Sequence, residues 1–244
     1  MTNTDLQSRY LDALGIQRWV RRDLEIREPD TEDHEVVTDN KPADIPPSKP
    51  REIPLVDWET LQAQVVGCTA CELHKTRTQT VFGVGNRNAD WLVIGEAPGA
   101  DEDRQGEPFV GRAGQLLNAM LLAIGLKREE VYIANILKCR PPENRDPRPE
   151  EVASCEPFLK HQIALLKPRI ILAVGRIAAQ NLLKTDNRIG ALRGKRYTYE
   201  DTGIPLVVTY HPAYLLRSPQ EKRKAWQDLL FAREVFKSQS QQSV

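Results

Sequence analysis

An α/β fold with a parallel sheet covered on both faces is predicted by three features of this 244-residue chain. Apolar runs at 91–95, 131–135, 170–174 and 206–209 alternate with segments of helical pattern. The runs are apolar almost throughout, as strands buried from both sides are. The stretch Trp91–Gly99, WLVIGEAPG, passes from such a strand straight into small residues and an acid. An open α/β sheet places its chemistry at that kind of carboxyl edge.

Taken in order, residues 4–22 put Leu6, Tyr10, Leu14 and Trp19 near one face of a short amphipathic helix. Arg18, Arg21 and Arg22 follow at its end, where cations suit the helix dipole. That helix either docks on its own domain or captures a partner. Residues 23–54 are acidic and then carry prolines at 42, 46, 47, 50 and 54, the composition of a disordered, extended linker. The domain boundary falls at residue 57, leaving an extension at 1–57 and a globular domain at 58–244.

Asp57 is placed to cap a helix over 57–66, which Gly67 ends. Residues 113–124 form a Leu- and Ala-rich helix stopped by Gly125. The strand at 131–135 leads into the Pro-rich loop CRPPENRDPRP, and Pro149 opens a long helix to about Leu166. Gly175 opens the helix after the strand at 170–174. A further strand lies at 193–199, a loop opens at His211-Pro212, and the last helix covers 219–236.

Basic and acidic residues number 34 each, but they are unevenly spread. Residues 1–60 hold 8 basic and 14 acidic side chains, and the remainder holds 26 and 20. A basic body with an acidic leader fits a polyanionic partner. No apolar run approaches the roughly 18 residues of a membrane span, and the N-terminus lacks a signal pattern. A cytoplasmic protein with reduced cysteines is expected, and no membrane partner.

Four cysteines are present, Cys68, Cys71, Cys139 and Cys155. The first two are separated by two residues, a spacing that lets both thiolates of a tight turn reach one metal centre. Sixty-seven residues intervene before Cys139 and 15 more before Cys155. A zinc ribbon usually has a second two-residue pair, which is absent here. An iron–sulfur cluster, zinc and four unconnected thiols are the readings that spacing leaves open.

The segments CTAC, GEAPG, PFVGRAGQLL, NILKCRPP and HPAYLLR, in this order and with this cysteine spacing, resemble the family 4 iron–sulfur uracil-DNA glycosylases over about residues 58–236. The resemblance implies a three-layer α/β/α sandwich around a mainly parallel four-stranded sheet. It implies a [4Fe–4S] cluster on the four cysteines, acting as a brace for DNA-facing loops. It also implies hydrolysis of the uracil N-glycosidic bond in DNA, leaving an abasic site, by a monomer.

A uracil within a duplex must be flipped into a pocket before it can react. By the resemblance, Phe109 stacks on the flipped base, and Gly95, Glu96 and Ala97 line the pocket. Asn135 ends a strand with one acceptor and two donors, which suits the N3–H and O4 edge of uracil. His211 donates to uracil O2 as negative charge builds there. Glu96 is the catalytic carboxylate near the sugar. Ala97 stands where the best-known branch has an Asp that orients water, so Glu96, or Asp101, Glu102 or Asp103, takes that task.

Leu215 and Leu216 resemble a wedge that fills the hole left by the base, while Arg217 meets phosphate. Arg112, Lys138 and Arg140 are further phosphate contacts. Pro108–Arg112 runs on without the short basic insertion of a covalently trapping relative, so turnover is expected. The extension offers its helix to a repair or replication protein. Two alternatives use the same fold: a non-catalytic DNA-binding or polymerase-associated module, and an iron–sulfur redox sensor.

Overall fold

A computed structural model describes residues 56–240. The helix expected at 4–22 and the linker at 23–54 lie outside the described residues. The domain begins with α1 (Trp58–Val66), whose N-cap Asp57 accepts the Thr60 amide at 2.8 Å. Then come β1 (Val84–Gly85), β2 (Trp91–Gly95), α2 (Ala100–Gln105), α3 (Arg112–Ala123) and β3 (Tyr132–Asn135). The chain continues through α4 (Pro149–Leu166), β4 (Ile170–Val174), α5 (Arg176–Leu183), α6 (Ile189–Leu192) and β5 (Arg196–Thr198). It closes with β6 (Pro205–Thr209), α7 (Pro212–Arg217) and α8 (Lys222–Ser240).

The strands form one sheet in the order β1-β3-β2-β4-β6-β5. β3, β2, β4 and β6 are the four expected strands, and they run parallel. The sheet is wider than expected because β1 and β5 add antiparallel edges. β1 has two residues, too few to leave a period in the sequence. The predicted strand at 193–199 shrinks to three residues, two of them exposed, as a short edge allows. α2 was not foreseen. The segment after His211 is a helix rather than a loop, with Pro212 at its first position.

Alternate strand residues feed two cores, which makes the architecture three-layered. Leu92, Ile94, Ala134, Ile171 and Val208 face α1, α4 and α5. Val93, Ile133, Leu172 and Val207 face α3, α7 and α8. Each strand is therefore buried on both sides, which is why its sequence is apolar rather than alternating.

This layering fixes where a site can form. The chain leaves β2 towards the α3 face but leaves β3 towards the α4 face. Gly95 and Asn135 are paired in register at the ends of these two strands. A crevice opens between adjacent strands whose connections part in this way. At the end of β6, buried Thr209 donates its hydroxyl to Asp228 at 2.9 Å. Asp228 also holds the guanidinium of Arg193 at 2.7 and 2.8 Å.

Removing one partner of a buried ion pair leaves an uncompensated charge. Asp228→Ala should therefore lose about 3–5 kcal/mol of unfolding free energy. Urea denaturation checks this, and a loss within about 0.5 kcal/mol would show that the pair does not hold α8 to β6.

Candidate active site

A cleft of about 720 Å³ lies at the carboxyl edge of the sheet. It collects Glu96 and Ala97 from the β2 exit, Phe109 from the loop before α3, Asn135 from β3, and His211 and Arg217 from α7. Four segments separated in sequence therefore converge on one cavity.

The approach is close because Gly95 carries no side chain. A Cβ there would lie 2.4 Å from Asn135 Oδ1 and 2.6 Å from Phe109 Cζ. The rings of Phe109 and His211 are 5.6 Å apart, tilted by 30°. The Asn135 side-chain oxygen is buried and has no hydrogen-bond partner. Leaving such an acceptor unpaired costs about 1–3 kcal/mol. A buried orphan at the wall of a cleft calls for a donor from a ligand.

Phe109 is held under strain. Its φ of 55° lies in the left-handed region that non-glycine residues avoid. Two side chains clamp the turn. Glu102 accepts the amides of Gly99, Val110 and Gly111 at 3.1, 3.0 and 3.3 Å. Arg128 donates to the carbonyl oxygens of Pro108 and Phe109 at 2.6 and 3.3 Å, and to Asn118 Oδ1 at 3.1 Å. Gly114 lets α3 pass beneath, since a Cβ there would sit 1.7 Å from the Phe109 carbonyl oxygen.

His211 caps its own helix. Its Nδ1 accepts the Ala213 amide at 3.1 Å, which leaves the proton on Nε2. Burial pushes its pKa down to about 4, with help from the Arg217 charge. The ring is therefore a neutral donor. Glu96 moves the other way. Burial first, then the charge of Asp146, raises its carboxyl to about 7, against the opposing pull of Arg176. It sits at the working range of a general base. Asp146 and Arg176 are themselves paired at 2.5 Å on the cleft wall.

Some expected contacts fall elsewhere. Leu215 is 1% exposed and belongs to the core between sheet and α7, so it cannot reach a duplex as a wedge. Its period on α7 turns it inward, and half-buried Leu216 and exposed Tyr214 remain outside. Lys138 is fully buried and meets no phosphate. Arg112 is exposed beyond the cleft lining, Arg140 bonds Asn144 at 2.8 Å, and Arg217 reaches the cleft mouth.

Sequence reading overlooked Arg128 and the bracing task of Glu102. Arg128 lies 19 residues beyond Phe109 with no local signal, and Glu102 sits in an ordinary acidic run. The aromatic pair Tyr210–Tyr214, 5.1 Å apart, was also missed; Arg193 lies over Tyr210 at 4.5 Å.

The four cysteines line a second, small cavity, together with His74, Arg77 and Lys138. Among the described residues, no three His, Cys, Asp or Glu side chains are grouped to hold a single metal ion. The four thiols nonetheless border one gap, and thiolates are the donors that soft metal centres take. Arg77 Nη1 donates to Cys139 Sγ at 3.0 Å, and the Lys138 amide donates to Cys155 Sγ at 3.2 Å. Such donors stabilise sulfur that carries negative charge. Burial pushes the Cys155 thiol up to about 12, against the opposing pull of the Lys138 charge and amide.

Comparison with known proteins points to one family. A family model described as the uracil DNA glycosylase superfamily matches residues 82–230. A type-4 uracil-DNA glycosylase of Archaeoglobus fulgidus is 50% identical over 163 residues, 64% of this chain and 82% of that protein. A type-4 uracil-DNA glycosylase of Pyrobaculum aerophilum is 43% identical over 180 residues, 71% and 92% of the two chains. One of Saccharolobus solfataricus is 43% identical over 182 residues, 72% and 84%.

The clamp on Phe109 has a measurable consequence. Arg128→Ala strips two carbonyls of their donor and should cost about 1–3 kcal/mol. Hydrogen exchange at the Val110 and Gly111 amides should quicken relative to the sheet. Unchanged exchange there would mean that Glu102 alone holds the turn.

Proposed function

The chain belongs to the uracil-DNA glycosylase superfamily, in its type-4 branch, and on that premise we propose how its cleft reads and removes uracil from DNA. The reaction is hydrolysis of the bond between uracil N1 and the deoxyribose C1′, leaving an abasic site. The observation that carries the reading is the orphaned Asn135 oxygen beside Phe109 and His211. That acceptor meets the N3–H of uracil, and the amide NH2 meets O4. Cytosine presents an acceptor at N3 and a donor at N4, so the same amide is mispaired at both atoms.

The flipped base lies against Phe109; stacking of this kind is worth about 1–3 kcal/mol per base. As the bond breaks, electrons move onto the uracil ring and negative charge grows at O2. His211 Nε2–H donates there without first having to lose a proton, because the ring is already neutral. Positive charge grows at the sugar, and ionised Glu96 stabilises it and orients the attacking water. Exposed Arg217 at the cleft mouth suits phosphate contact. The wedge task passes from buried Leu215 to Tyr214 or Leu216.

Cys68, Cys71, Cys139 and Cys155 hold a [4Fe–4S] cluster. When bound, it cross-links the β3 exit and α4 to the turn after α1, and the hydrolysis itself moves no electrons. A non-catalytic DNA-binding module would have no use for a neutral histidine and an unpaired amide oxygen facing one cavity. A redox sensor would not need them either. The 1–57 extension is left to recruit a repair or replication partner.

A uracil-containing oligonucleotide incubated with the protein and then treated with alkali should break at the uracil. Intact strands at stoichiometric protein would refute the function. Asn135→Asp should gain measurable excision of cytosine, and loss of uracil excision with no gain would refute the base-reading role. Because Glu96 is charged only above about pH 7, kcat/KM should rise through that pH and then level. Glu96→Gln should abolish this limb and lower the plateau about 100-fold. A limb that survives the substitution would remove Glu96 from its role.

A further inference from the structure

Lys138 joins the two cavities. It lies three residues after Asn135 and directly before Cys139. Its side chain is 1% exposed and turns into the domain. Nζ donates to the backbone carbonyl of Asn135 at 2.9 Å and to Gln162 Oε1 at 2.7 Å. Gln162, fully buried on α4, passes the chain on to the Phe82 carbonyl at 2.9 Å. The Lys138 amide donates to Cys155 Sγ, and its carbonyl accepts the Val81 amide at 2.8 Å.

A buried ammonium needs negative charge nearby or it is strongly destabilising. The hydrogen-bond partners of this one are a carbonyl and an amide oxygen, with no carboxylate among them. The residue also lines the cysteine cavity, next to Cys139 in the chain and beside Cys155, whose sulfur its backbone amide meets. Four metal-bound thiolates would supply the missing charge. We propose that Lys138 is a positioning residue that couples the iron–sulfur centre to base recognition. The cluster's charge holds the ammonium in place, and the ammonium fixes the Asn135 backbone, hence the amide that reads the base. The inference rests on the cluster and the uracil reading given above.

The test uses the full chain, purified without oxygen, as Lys138→Gln and Lys138→Arg, with Cys155→Ser alone and combined with Lys138→Gln. Losing a buried positive charge disfavours reduction, so the cluster potential of Lys138→Gln should become more negative. Its kcat/KM for uracil should fall about 10-fold, the usual scale for a residue behind a metal ligand. Preference for uracil over cytosine should narrow, and Lys138→Arg should restore much of both effects. In the double variant, the losses in thermal midpoint should fall short of additive.

An unshifted potential, or additive losses with unchanged base preference, would overturn the coupling. If Lys138→Gln does not fold, the Lys138→Arg potential and base preference decide it, since that variant keeps the charge and should stay near the parent. Parent protein without iron, or without uracil excision, would instead refute the function reading.

Discussion

The Asn135 side-chain oxygen is buried at the end of β3 with no donor, and the rest of the site is arranged around that unmet need. A free amide in a protein would rotate or find water. Here Gly95 on the neighbouring strand leaves room for it, and Phe109 closes the other side. The register between β2 and β3 sets Gly95 opposite Asn135, so the pocket is a property of the sheet and not of a flexible loop. A ligand that donates a hydrogen bond there recovers what the empty protein forgoes. That is a route to selectivity, because a ring with the inverted pattern recovers nothing.

Two titrating groups of the cleft are pushed in opposite senses by the same burial. His211 loses its proton and Glu96 tends to keep its own. Low solvent access disfavours charge on both, which yields a neutral donor and a carboxyl near its midpoint. Separate environments for the two partners of a bond cleavage are a familiar way to divide labour. Strain at Phe109 belongs with this picture. The turn is over-determined by Glu102 and Arg128, so the aromatic face is in place before a base arrives.

Much of the layout was legible in the sequence. The four central strands, the Asp57 cap and the long helix from Pro149 to Leu166 follow from period and turn chemistry. The gathering of Phe109, Asn135 and His211 at one edge was expected only through the family resemblance that five motifs carry together. What escaped was set by three-dimensional closure. β1 is too short to leave a pattern, and Arg128 meets the Phe109 turn only after α3 has folded back. Leu215 and Lys138 misled for a related reason. Their types suited a wedge and a phosphate contact, but the turn of α7 buries the one and the exit of β3 buries the other. Composition tells what a side chain can do, and packing decides where it is allowed to do it.

The most direct test is a crystal structure of the protein with free uracil. The ring should lie against Phe109, with Asn135 Oδ1 on N3–H and His211 Nε2 on O2, each within about 3 Å. Uracil bound elsewhere, or bound in the cleft with the Asn135 oxygen still unpaired, would contradict the account.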